Sequence, residues 1–262
     1  MPRFDAVILD VDGTIVRGQE PIPGAVAGIR KLDAAGIPRL LFSNNPTRGS
    51  AHYRETLETY GIDVDSSSVL TSGTVTAEFL ADVHDGESIF LVGHDRLRGI
   101  LEDHGLTVTS DPAEANLVLG SIDPDLSYDS LRSALTALER GVPFYGTDPD
   151  VTIPTADGRS PGSGTILAAL SAAAGREPDA VLGKPSAVAA DAATDRLGVP
   201  PEDLLVVGDR LDTDVSLGER AGMATAVVLT GITDRSDLET ATVRPGHVLE
   251  SIGDIDELLS SR

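Results

Sequence analysis

Short apolar runs alternate along this chain with stretches of helical periodicity, and that alternation limits the fold more than any other feature. The runs Ala6-Val7-Ile8-Leu9, Ile89-Phe90-Leu91-Val92 and Leu204-Leu205-Val206-Val207 are bounded by Gly or Asp, the pattern of buried strands. The pattern predicts strands near 5–11, 38–43, 69–71, 89–93, 116–120, 142–146, 180–183, 204–208 and 225–229. Helices are expected near 25–35, 48–60 and 74–82; Gly36 and Gly61 stop the first two. Strand–helix alternation predicts an α/β fold, a Rossmann-like three-layer core whose parallel sheet is covered on both faces.

At 262 residues the chain has room for two domains. Asp82–Glu87 is a short acidic link containing Gly86, and Gly175-Arg176-Glu177-Pro178 is a second. Between them runs a segment with its own strand–helix pattern. It reads as an inserted α/β domain over 83–178, with 1–82 and 179–262 forming the core. Hydrophobic residues make up 40% and aromatics only 3%, so Val, Leu, Ile and Ala must fill the interior.

Several classes are excluded. There is no cysteine, hence no disulfide, thiolate zinc site or cysteine nucleophile. His52, His84, His94, His104 and His247 are scattered, without metal-ligand spacing. The N-terminal stretch from Met1 to Asp5 lacks a signal-peptide layout, and no apolar run approaches the ~18 residues of a membrane span. A cytoplasmic protein is expected. Asp and Glu outnumber Lys and Arg by 42 to 20, a net charge of −22 without basic stripes. Nucleic acid and membrane are therefore not expected partners. Spread through folded segments, the charge reads as solvation in a salt-rich, halophilic cytoplasm, where repulsion is screened within ~3 Å at 1 M salt.

The first apolar run ends in Asp10-Val11-Asp12-Gly13-Thr14. Side chains two apart on a strand share a face, with Cα atoms ~6.5 Å apart. Two carboxylates at the carboxyl end of a strand, where α/β sheets bind ligands, call for a hard metal, an acid–base role, or both. Three other segments follow expected core strands. They are Ser43-Asn44-Asn45, Gly183-Lys184-Pro185, and Gly208-Asp209-Arg210-Leu211-Asp212-Thr213-Asp214. Lys31 and Lys184 are the only lysines, so one retained between Gly and Pro is a candidate phosphate cation. Asn45 also fits an Asx turn before Pro46, and Asp212 a solvated or capping residue. Mg²⁺ favours carboxylate and phosphate oxygens, and aspartate is a covalent nucleophile in phosphoryl transfer. Gly162-Ser163-Gly164 lacks the third glycine of a dinucleotide fingerprint and reads as a helix entrance.

In this order the four segments resemble the haloacid dehalogenase superfamily over essentially the whole chain. The insertion and Pro21-Ile22-Pro23-Gly24-Ala25 are similar to its C2-capped phosphatases, the group of 4-nitrophenylphosphatase, phosphoglycolate phosphatase and NagD-like proteins. The resemblance implies a Mg²⁺-dependent hydrolase of small phosphate monoesters acting through an aspartyl-phosphate. Asp10 would attack phosphorus, and Asp12 would be general acid, then base. Asp10, Asp209 and the Asp12 carbonyl would hold the metal. Ser43, Asn44, Asn45 and Lys184 would bind the phosphoryl group. Asp214 would stand behind them, orienting Lys184 or a water. Carbon–halogen-cleaving relatives lack an acid at the Asp12 position, so Asp12 favours a phosphate ester. The cap would set specificity, and a homodimer is left open. Thr147-Asp148-Pro149-Asp150 resembles a family loop written Thr-Asn-x-Asp, with Asp148 in place of Asn. A non-catalytic phosphate sensor, or a phosphotransferase or mutase on the same core, are the alternatives.

Overall fold

The computed structural model describes residues 4–155 and 158–259. Met1, Pro2 and Arg3, part of the N-terminal stretch read above, and the end of the expected 179–262 segment lie outside the described residues. The chain divides into two compact units. Residues 1–43, 50–70 and 189–262 form the first, and 44–49 and 71–188 the second.

The first unit is built on a six-stranded sheet in the order His247–Leu249, Ala224–Val228, Leu204–Gly208, Ala6–Leu9, Arg39–Ser43, Val69–Thr71. Pairing is parallel from His247–Leu249 across to Arg39–Ser43. The strand period of two explains its core. Val7, Leu9, Leu41, Leu205, Val207, Ala226 and Val228 share one face and pack with Ile29, Leu32 and Leu57. The alternate residues Ile8, Leu40, Val206 and Val227 are buried on the other face. Both faces are therefore covered, as parallel strands require. Ala25–Ala35 is helical and stops at Gly36, whose φ of 67° is the left-handed turn that glycine adopts freely.

The second unit has a five-stranded parallel sheet in the order Ala180–Val181, Phe144–Gly146, Leu117–Gly120, Ser88–Val92, Thr107–Thr109. An antiparallel hairpin pairs Thr152–Thr155 with Gly158–Pro161. Two placements differ from the sequence reading. The strand before Lys184 is not a core strand but the edge of this second sheet. Its backbone follows the Phe144–Thr147 backbone bond by bond, from the Asp179 N–H on Phe144 O to the Gly183 N–H on Thr147 O, both 2.7 Å. The helix Ser72–Val83 also groups with the second unit. Its Ala77 and Leu80 pack against Leu97, Leu101 and Leu117 there.

The strands Thr107–Thr109 and His247–Leu249 were not anticipated. Neither is a saturated apolar run: Val108 stands between two threonines, and Val248-Leu249 follows His247. Among the described residues no helix is long and apolar enough to cross a membrane.

Candidate active site

Strand register assembles the first group of candidate side chains. Leu9 lies opposite both Val207 and Leu41, so the next residues emerge together at the carboxyl edge. The Asp10 N–H still donates to Val207 O at 2.8 Å, which sets Asp10 beside Gly208-Asp209. One oxygen each from Asp10, Asp209 and Asp214 falls within 4.8 Å of the others, and all three residues are buried. Thr14 Oγ1 donates to Asp10 at 3.3 Å, and the Ile232 N–H to Asp209 at 2.7 Å. Asp214 accepts the Arg210 N–H at 3.2 Å. Burial pushes the Asp209 carboxyl up to about 8, and the neighbouring charges of Asp10 and Asp214 add to the rise. Clustered hard oxygens whose charges oppose one another suit a divalent cation such as Mg²⁺.

Asp10 and Asp12 part company here. The regular strand ends at Leu9, and the N–H groups of Thr14, Ile15 and Val16 all turn back onto Val11 O. The two-residue repeat therefore does not carry through to Asp12. Asp12 is exposed, and its carboxylate meets Ser43 Oγ at 3.3 Å and the Tyr53 hydroxyl at 3.4 Å. The two hydroxyls are themselves 2.9 Å apart. One aspartate is thus buried among carboxylates and the other is exposed beside hydroxyls. Asp212 is also exposed and forms a two-bond ion pair with Arg210, at 3.1 and 3.0 Å.

Backbone without side chains makes room for the buried carboxylates. A Cβ on Gly231 or Gly13 would overlap the Asp209 carboxylate, and one on Gly208 would overlap Asp214. Gly13 also has a φ of 93°, open to glycine at little cost. Gly231, Ile232 and Tyr53 were not anticipated as part of the site. Their signal is a backbone approach or a single phenol far away in sequence, which no local pattern encodes. Gly231→Ala is expected to displace Asp209 and lower kcat by about two orders of magnitude, since ~1 Å of misplacement costs that much. Steady-state assay beside a thermal melt checks this; a folded variant with wild-type kcat would contradict the cradle.

Lys184, Asn44 and Asn45 belong to the second unit. Lys184 is only 1% exposed. The Asn44 side chain clamps its backbone, accepting the Lys184 N–H at 2.9 Å and donating to the Lys184 carbonyl at 3.0 Å. Asn44 is held in turn by Ser72 Oγ on its carbonyl at 2.7 Å. Asn45 forms the Asx turn, accepting the Thr47 N–H at 2.9 Å and the Thr47 hydroxyl at 3.0 Å. Gly162 caps the helix Ser163–Ala174, which is the helix entrance read from the sequence.

The fold and the carboxylate group together define an α/β protein with a Rossmann-like parallel sheet, a second α/β unit, and buried aspartates at the carboxyl edge of the first sheet. Residues 7–107 match the family model of haloacid dehalogenase-like hydrolases, and residues 181–255 match a HAD-hydrolase-like model. An acid sugar phosphatase of Staphylococcus aureus is 32% identical over 260 residues, covering 99% of this chain and 98% of that protein. A p-nitrophenyl phosphatase structure from Archaeoglobus fulgidus is 36% identical with a TM-score of 0.93, covering 98% of this chain and all of that one. NagD from E. coli K-12 is 29% identical with a TM-score of 0.87, covering 97% and 98%. The chain belongs to the haloacid dehalogenase-like hydrolases, among the C2-capped phosphatases of the NagD and 4-nitrophenylphosphatase type. It is a phosphoric monoester hydrolase.

Proposed function

We propose that this chain hydrolyses small phosphate monoesters with Mg²⁺ through a phosphorylated Asp10. The observation that carries the reading is the separation of the two aspartates. Asp10 is 7% exposed within a group of carboxylates, while Asp12 is solvent-facing beside the hydroxyls of Ser43 and Tyr53. An Asp10 oxygen attacks phosphorus, the P–O bond to the leaving alcohol breaks, and the departing oxygen takes the proton from Asp12. Asp12, now ionised, takes a proton from water as the water oxygen attacks phosphorus. The P–O bond to Asp10 then breaks and inorganic phosphate leaves.

Asp10, Asp209 and the Asp12 carbonyl would hold Mg²⁺, with Asp214 in the same carboxylate group. Bound there, the metal would offset negative charge on the phosphoryl oxygens. Ser43, Asn44, Asn45 and Lys184 are assigned to phosphate binding. Lys184 is supported by its burial and by the clamp on its backbone. The Asn45 side-chain oxygen already closes a turn and the Asn44 side-chain amide already holds the Lys184 backbone, so these two are the weaker members. Residues 83–178 are proposed as the specificity-determining cap, and the names of the staphylococcal relatives put sugar phosphates first among candidate substrates.

The test is phosphate release from 4-nitrophenyl phosphate, followed by a panel of sugar phosphates. Release should require Mg²⁺ and stop with chelator. No release from any ester by the folded protein would overturn this reading. The −22 charge should repel a phosphate dianion at range, so kcat/KM in the same assay is expected to rise from low to molar KCl. A flat or falling profile would count against a salt-adapted, halophilic surface.

A further inference from the structure

Asp148 is a buried carboxylate that the proposed mechanism leaves without a task. It is 2% exposed and enclosed by hydroxyls. Ser163 Oγ donates to its Oδ2 at 2.6 Å and Thr147 Oγ1 to the same oxygen at 2.9 Å, while the Asp150 N–H meets Oδ1 at 3.2 Å. Ser121 Oγ lies 2.8 Å from Thr147 Oγ1, and the Ile122 N–H donates to Ser163 Oγ at 3.0 Å. Ser121, Thr147 and Ser163 are all buried. Once ionised, a carboxylate only accepts, so in that form both neighbouring hydroxyls point their protons at it. That orientation leaves Thr147 Oγ1 to accept from Ser121, as Ser163 Oγ accepts from Ile122. The network thus ties the ends of the Leu117–Gly120 and Phe144–Gly146 strands to the start of the helix Ser163–Ala174.

Thr147 is where this network meets the lysine turn. Its carbonyl accepts the Gly183 N–H at 2.7 Å, and the Lys184 peptide groups are taken by Asn44. Gly183 has no slack. A Cβ there would sit 2.6 Å from Thr147 O, 2.9 Å from Asn44 Oδ1 and 3.0 Å from Ser72 Cβ. The turn is wedged between the Thr147 peptide and the Asn44 side chain, so displacing Thr147 must move Gly183 and Lys184 or break the Gly183 N–H bond to Thr147 O.

We propose that Asp148 is a positioning residue for Lys184. By holding the Thr147 and Ser163 hydroxyls it fixes the peptide on which the Gly183–Lys184 turn rests. The effect on phosphate binding rests on the assignment of Lys184 above; the positioning itself does not. Burial, and then the charge of Asp150, push the Asp148 carboxyl up to about 7. Its three hydrogen bonds offset part of the cost of burying it.

Amide hydrogen exchange at Gly183 and Lys184 reads the positioning directly. In Asp148→Ala both amides should exchange about tenfold faster or more, the loss of one hydrogen bond's worth of protection. Asp148→Asn, which keeps an acceptor oxygen for both hydroxyls, should restore most of it. Inhibition by inorganic phosphate and KM for 4-nitrophenyl phosphate should weaken about tenfold in Asp148→Ala, and not further when Lys184→Ala is already present. A folded Asp148→Ala with wild-type protection at both amides overturns the proposal. So does an equal loss of phosphate affinity with and without Lys184. Wild-type phosphate affinity in Lys184→Ala alone would instead remove the phosphate-binding assignment, leaving exchange to decide the positioning. If Asp148→Ala does not fold, Thr147→Val cuts the same link at nearly constant volume and is read by the same exchange.

Discussion

Asp10→Asn is expected to abolish phosphate release, with a loss of at least ~10⁴-fold in kcat, the scale seen when a covalent nucleophile is removed. The change is nearly isosteric, so the Ala6–Leu9 strand and its pairing with Leu204–Gly208 should survive it. It also removes one charge from the group shared with Asp209 and Asp214. Burial and the Asp10 charge raise the Asp209 carboxyl, so relieving that repulsion should leave the metal-free protein at least as stable as wild type. The combination of a dead enzyme and an undiminished melting temperature marks Asp10 as chemistry rather than scaffold. Mass spectrometry on rapidly acid-quenched wild type should find a phosphoryl group on the peptide containing Asp10 and none in the variant. An Asp10→Asn enzyme that still turned over would require a different nucleophile.

The second large effect is on stability against pH, and it comes from Asp148. Its carboxyl titrates at 3.8 in the unfolded chain and is raised by burial to about 7 in the folded one. The groups around it are Asp150, which adds negative charge, and the neutral hydroxyls of Thr147 and Ser163 and the Asp150 N–H. Between those two values the folded state holds the extra proton, so stability falls as pH rises. The contribution is fully present below about pH 4 and lost as pH passes through about 7. Asp148→Asn cannot lose a proton and escapes that penalty, on the order of a few kcal/mol for such a shift. Its melting temperature relative to wild type should climb across this window and level off above it. Parallel curves for the two proteins would show that Asp148 does not titrate there.

Much of this protein is legible in its sequence. Strand Leu204–Gly208 and helix Ala25–Ala35 match the sequence reading residue for residue. A saturated apolar run and a glycine stop are local, strong signals. The fold class followed from the alternation of such runs, and Asp209 from a strand that ends in Gly-Asp. Ala180–Val181 misled for an equally physical reason. Two apolar residues carry no mark of which sheet they will extend; the partner backbone at Phe144–Gly146 decides that.

The candidate site divides along the same line. Residue chemistry in the sequence alone determined that Asp10, Asp12, Asp209 and Lys184 stand out, because carboxylates and a rare lysine at strand ends need a reason to be there. Only the tertiary structure decided what each of them contacts. It buried Asp10 with Asp214 and left Asp12 to Ser43 and Tyr53, because the strand stops at Leu9 and the chain turns on Val11. It brought Gly231 and Ile232 onto Asp209, and joined Asn44 to Lys184 across 140 residues. A hydrogen bond acts over about 3 Å of space whatever the separation in sequence, so such partners are fixed by folding and leave no trace in local pattern.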